Sequence, residues 1–296
     1  MASLPDDPVS PASPPPPPDP PASSALRLLD ALAARWPLLD GLLFPLFVGA
    51  CVLYVALAFY GSLHRQTHGQ WSAPLDDVFI HFDYARATAR GYPFQWSEGN
   101  GFSSGNTSLS YPFVLALGYW AGFRGMAIMQ WAAIVACLST LGFFLAASRL
   151  TRSLGRWGKY LLPPVVLSLG ALDWSLFSGM ENAFHLAVWG LALVPTLAVA
   201  RLADPRILGE ILASDEVPPS SGDPTRRIAA LSLLAGLASA LLFATRPESV
   251  ICIASFAVFA ALPVRRAFGN RAAIGTLLRI GLPGALVLVL QAVANK

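Results

Sequence analysis

The run Leu42–Tyr60 is nineteen residues long and uncharged, and the nearest acidic and basic residues on either side are Asp40 and Arg65. About 20 apolar residues wound as a helix cover the ~30 Å hydrocarbon core of a bilayer. The run therefore reads as a membrane span. No Lys or Arg precedes Arg27, so the segment lacks the basic lead of a secretory signal and is expected to stay in the mature protein. Composition agrees: 12% of residues are charged against 55% hydrophobic, where a soluble domain carries about 25% charge. A water-facing surface cannot be thinned of charge that far.

Six further segments can be read as spans, at about 125–148, 160–177, 182–200, 228–244, 249–264 and 272–294, the last three short or interrupted. The basic residues supply an independent test, because Lys and Arg gather on the cytoplasmic side. With the N-terminus inside, thirteen of the 20 Lys and Arg fall in cytoplasmic segments, and the C-terminus lies outside. The expected fold is an all-α polytopic membrane protein of about seven transmembrane helices, with a long first outer loop, 61–124, containing interfacial helices. Residues 1–37 form a separate Pro-rich cytoplasmic tail and short juxtamembrane segment, since ten of the 25 prolines lie before residue 25. Residues 38–296 form the transmembrane module.

A net charge of +3, dispersed along the chain, gives no footprint for a nucleic-acid partner. Cys51, Cys137 and Cys252 each sit in an apolar run without CxxC spacing, which argues against metal–thiolate or disulfide chemistry. The partner the composition does demand is the lipid bilayer.

The informative polar residues cluster in segments expected on the outer side. Asp76-Asp77-Val78-Phe79-Ile80-His81-Phe82-Asp83-Tyr84-Ala85-Arg86, closed by Gly91, predicts a helix over 76–90. Asp77, His81 and Tyr84 share one stripe of it. A carboxylate at the bilayer centre costs roughly 2.5–3.5 kcal/mol, so this helix belongs outside the hydrocarbon. Adjacent aspartates at a helix start are often caps. They also suit a base, because one carboxylate raises the proton affinity of its neighbour. A Gly-rich loop, Glu98 to Ser108, follows without P-loop spacing. Two tight turns each carry an acid, Glu181 in Ser178-Gly179-Met180-Glu181-Asn182 and Glu248 in Thr245-Arg246-Pro247-Glu248-Ser249. A local Arg246–Glu248 ion pair is the plain reading of the second turn. Charges this close to hydrocarbon usually have partners or functions.

Asp76-Asp77-Val78-Phe79-Ile80 with Tyr84-Ala85-Arg86, then Gly91, Glu98, Gly105 and Thr107-Ser108, then Ser178-Gly179-Met180-Glu181 and Thr245-Arg246-Pro247-Glu248, resembles the GT-C superfamily of membrane glycosyltransferases over roughly residues 40–264. The nearest branch is that of bacterial terminal arabinofuranosyltransferases, with protein O-mannosyltransferases and the lipid A aminoarabinose transferase as distant relatives. The resemblance implies transfer of a sugar from a polyprenyl-phosphate carrier to a glycan, lipid or protein hydroxyl, with inversion, on the extracytoplasmic face of a bacterial inner membrane, in cell-envelope polysaccharide biosynthesis. It implies Asp76 or Asp77 as catalytic base, with the other tuning its basicity, steadying positive charge or helping to hold a divalent ion, Mg or Mn. It implies Arg246 on the leaving phosphate, Glu181 and Glu248 orienting sugar hydroxyls or holding Arg246, and His81, Arg86, Thr107 and Ser108 as further substrate-binding residues.

Two features depart from the family. Its members are generally longer, so a chain ending at Lys296 reads as an N-terminal part or a reduced member, and His81 stands where Ser is common. The competing functions are a non-catalytic assembly partner and a transporter of lipid-linked substrates. Ionisable groups at mid-depth are few, with Arg279 the clearest, which disfavours a polar pathway through the membrane.

Overall fold

A computed structural model describes residues 24–150, 155–206 and 223–294. All regular elements among them are helices: α1 (Ser24–Gln66), α2 (Asp77–Ala89), α3 (Tyr111–Trp120), α4 (Ile128–Ala147), α5 (Gly155–Leu167), α6 (Gly170–Phe177), α7 (Asn182–Ala203), α8 (Pro224–Thr245) and α9 (Val250–Ala294). Short 3-10 turns precede α4 and α9. The chain divides into two compact units, 1–43 and 44–296. Of the first unit the described part is the opening of α1, and the Pro-rich stretch expected before residue 24 lies outside the described residues.

Five helices are long and apolar enough to cross a membrane, and six if the bent pair α5–α6 is one span. Three of the expected seven segments need qualification. The stretch expected as one span over 160–177 bends by 80°. Pro163 and Pro164 remove two backbone donors from α5, and Leu169 is extended at φ −87°, ψ 95°. The stretches expected at 249–264 and 272–294 are both contained in α9, which is broken at Gly269 with φ 82°, ψ 178°, a conformation open in practice to glycine alone. An unbroken helix would hold Ile253 and Gly284 about 46 Å apart. Instead a methyl at Gly284 would meet Ile253 Cδ1 at 3.3 Å, so the chain doubles back at Gly269 and forms two limbs, 250–268 and 270–294.

Helices in lipid gain little from burying apolar surface against one another, because lipid tails are as apolar as leucine. Close backbone approach and van der Waals contact take over. A methyl at Gly236 would lie 1.9 Å from the Arg279 carbonyl oxygen, and one at Gly190 2.6 Å from Ala146 Cβ; these positions let α8 meet the second limb of α9 and α7 meet α4. Two clusters of buried side chains result. One gathers Val48, Val78, Tyr111, Met129, Phe144 and Phe177, the other Leu193, Leu242, Ile253, Phe256 and Ile280. Leucines exposed along α1, α7, α8 and α9, such as Leu46, Leu57, Leu191, Leu237 and Leu282, are the surface an integral membrane protein presents to lipid.

Candidate functional site

The helix predicted over 76–90 is α2, Asp77–Ala89. Its end is a Schellman motif, in which Tyr92 N–H donates to Ala87 O and Gly91 N–H to Thr88 O. Its start does not use the aspartates as side-chain caps. Asp76 makes no capping hydrogen bond, and both Asp76 and Asp77 are exposed. Each keeps its carboxylate available beside the positive end of the helix dipole. One turn on, and on the same stripe as Asp77, His81 points inward and is 2% exposed.

His81 Nε2 lies 3.0 Å from Glu181 Oε2, and Glu181 is 0% exposed. The pair is close but not aligned as a regular hydrogen bond, since Oε2 has none. The other carboxylate oxygen, Oε1, accepts a 3.0 Å hydrogen bond from Arg246 Nε. Three remote segments thus meet at one carboxylate. Burial raises the proton affinity of Glu181, but the His81 contact, a backbone hydrogen bond and the Arg246 bond outweigh it and hold the carboxyl down to about 2.

The turn that carries Glu181 is shaped by Gly179 at φ 98°. It packs so tightly that a methyl there would lie 2.9 Å from Val78 Cγ1 of α2 and 3.0 Å from Met129 Sδ of α4. Tyr111 Oη donates a 3.0 Å hydrogen bond to Gly179 O, and its ring meets His81 edge-on at 5.4 Å. Burial, reinforced by the Glu181 charge, pushes the Tyr111 phenol above its usual range, so it acts as a neutral donor. Across the site, Leu109 N–H donates to Ala244 O at 2.8 Å and Ser110 Oγ lies 2.9 Å from Thr245 Oγ1. The loop before α3 is thereby tied to the end of α8, next to Arg246.

Arg246 is 38% exposed, and Nε is the only nitrogen of its side chain with a hydrogen bond among the described residues. Its terminal NH2 groups remain available for an oxyanion. The local Arg246–Glu248 pair does not form: Glu181, 65 residues away, is the partner, and Glu248 is exposed. His185, one turn into α7, lies within electrostatic reach of Arg246, Glu181 and Glu248.

Other sequence candidates fall elsewhere. Arg86 binds Asp83 at 2.8 Å and Glu98 at 3.3 Å, on the side of α2 away from His81. Ser108 is buried, and its hydroxyl accepts from Tyr111 N–H at 3.1 Å, so it holds the start of α3. Thr107 is exposed. Tyr111 is 1% exposed and offers no face to a ligand or to the membrane interface; its tie to the Gly179 turn had no signal in the sequence. Among the described residues no group of three or more His, Cys, Asp or Glu side chains could hold a metal ion. The two exposed carboxylates at Asp76 and Asp77 match what Mg asks of a protein, which is one or two carboxylates with water and substrate phosphate filling the rest.

An apolar groove of about 500 Å³ lies beside the site, lined by Phe94, Phe102, Leu109 and Phe113, by Val287 and Leu290 of the second α9 limb, and by Ser110 and Ala244. Its Ala244 edge is two residues from Arg246. Comparisons of the chain with protein-family models, with curated proteins and with solved structures give no match.

Proposed function

We propose that the chain is a membrane glycosyltransferase, of GT-C type, that moves a sugar from a polyprenyl-phosphate carrier to a hydroxyl acceptor on the extracytoplasmic face. The observation that carries this reading is the joining of His81, Glu181 and Arg246, with an apolar groove whose Ala244 edge is two residues from Arg246 along the chain. A phosphate with a long apolar tail has those two needs. The guanidinium takes phosphate oxygens in bidentate fashion, and the groove takes the first units of the chain.

Asp76 and Asp77 supply the base. One carboxylate accepts the proton of the acceptor hydroxyl as its oxygen attacks the anomeric carbon. The bond from that carbon to the phosphate oxygen breaks, and the polyprenyl phosphate departs with its new negative charge facing Arg246. Glu181 keeps Arg246 in position, and His185 lies within electrostatic reach of Arg246, Glu181 and Glu248. Asp76 and Asp77 are also the residues that would hold Mg or Mn, whose chemistry there is neutralisation of phosphate charge. Seven spans with the N-terminus inside fit this reading, because the reversal at Gly269 makes two limbs of α9 and α5–α6 can act as one broken span.

The test is sugar transfer from labelled polyprenyl-phosphate donors in membranes carrying wild type, Asp76→Asn, Asp77→Asn or Arg246→Gln. We expect one aspartate variant to lose about 10²-fold or more, and Arg246→Gln to lose a comparable amount. Both aspartates are exposed and neither side chain has a hydrogen bond or ion pair among the described residues, so equal expression and melting temperature are expected of those variants. Undiminished transfer in both would remove the base. No transfer from wild type with any donor would favour the assembly-partner reading.

A further inference from the structure

On the side of α2 away from His81 lies a second polar feature that the transferase reading does not use. Arg86 and Arg90 fall roughly opposite His81 on the helical wheel, and with Tyr119, Trp120 and Arg124 they line a cleft of about 420 Å³. Trp120 Nε1 donates to Ala89 O at 3.0 Å, which fastens α3 to α2 and fixes the cleft's walls. Three guanidinium groups face two carboxylates. Glu98 accepts from Arg90 at 2.8 Å and from Arg86 at 3.3 Å, and Asp83 pairs with Arg86. Arg124 is exposed, and its guanidinium has no hydrogen-bond or ion-pair partner among the described residues. Positive charge is thus left over in a walled concavity.

The position of the cleft selects its ligand. Arg124 immediately precedes the candidate span Gly125–Ala147, which puts it where hydrocarbon gives way to headgroups. Trp120 is 66% exposed, and Leu117 and Met126 beside it are also exposed, a surface suited to the acyl–headgroup boundary. We propose that this cleft binds the phosphate of an anionic phospholipid, with Arg124 as the primary contact and Arg90 as the second. Phosphate is the recognised group, and the aromatic and apolar rim favours a lipid source over a soluble one. The inference stands whether or not the chain transfers sugars.

The experiment is native mass spectrometry of the detergent-purified protein with added phosphatidylglycerol, with phosphatidylcholine as reference and inorganic phosphate as a separate arm. Wild type is expected to retain phosphatidylglycerol in preference to phosphatidylcholine. Arg124→Gln should weaken that retention about tenfold, the loss of one charge-assisted contact. Glu98→Gln should strengthen it severalfold, because it frees Arg86 and Arg90 from their present acceptor. The two variants move in opposite directions, which a general loss of folding cannot imitate. Competition by millimolar inorganic phosphate would keep the phosphate site and make its source soluble. Unchanged retention in Arg124→Gln, weaker retention in Glu98→Gln, or no preference in wild type with no phosphate bound would each overturn the proposal.

Discussion

Glu181 is a buried carboxylate that stays ionised because His81 and Arg246 face its two oxygens. Its folded-state value, about 2, lies below the ordinary 4.5. A depressed carboxylate contributes stability that is complete above its unfolded value and is lost as pH falls towards the folded one. Melting temperature in detergent should therefore hold steady down to about pH 4.5 and fall between there and pH 2. Glu181→Gln should cost on the order of 2 kcal/mol of stability at neutral pH, which lowers the melting temperature there and flattens its acid limb. The measurement is a thermal shift at several pH values; a Glu181→Gln profile parallel to wild type would remove the carboxylate from this role. The residue scale also shows what a single chain of letters leaves open. Glu181 and Arg246 were legible as charges worth noticing, each beside a span, but their pairing was not. Proximity in sequence favoured Glu248, whereas the packing of α7 against α8 decided for Glu181.

At the scale of elements, the site depends on how closely the turn between α6 and α7 sits on α2 and α4. Gly179→Ala would need a left-handed backbone with a side chain, costing about 1–2 kcal/mol, and a methyl 2.9 Å from Val78 Cγ1. The expected result is a lower melting temperature together with weaker transfer, because the turn that shifts also carries Glu181. A Gly179→Ala protein with wild-type melting behaviour would show that the turn is not held as tightly as the contact distances require. Helix α2 was readable to within a residue or so, since its start and its glycine-closed end are local signals. The 80° bend between α5 and α6 was less so: Pro163 and Pro164 announce a weakness, while the angle depends on what the broken pair packs against. The role of Tyr111 was closed to sequence for the same reason. Aromatic residues before a short helix look alike in sequence whether they stack on a ligand, lie at an interface or, as here, brace a turn 68 residues away.

For the molecule as a whole, the helix ends sort charge into two layers. Glu181 at the start of α7, Arg246 at the end of α8 and Ala244 bonded to Leu109 share one end. Arg201, Arg226, Arg227, Arg265 and Arg266 lie at the opposite ends of those helices or of the first α9 limb. Arg266 is sixteen residues beyond Val250 along that limb, roughly 24 Å away, which is most of a hydrocarbon core. The excess of arginine at that end is what a cytoplasmic side carries. This leads to a topological prediction independent of chemistry. With Cys51, Cys137 and Cys252 replaced by serine or alanine, single cysteines are placed at the exposed positions Thr107 and Arg266. A membrane-impermeant maleimide should label Thr107→Cys in spheroplasts and Arg266→Cys only in inverted vesicles. The reverse pattern would keep the two-layer arrangement but turn the site to the cytoplasm, and with it the face proposed for a lipid-linked donor. Labelling of both from one side would contradict the layering itself, since no rigid helix 24 Å long can have its two ends in the same aqueous phase while it crosses the membrane.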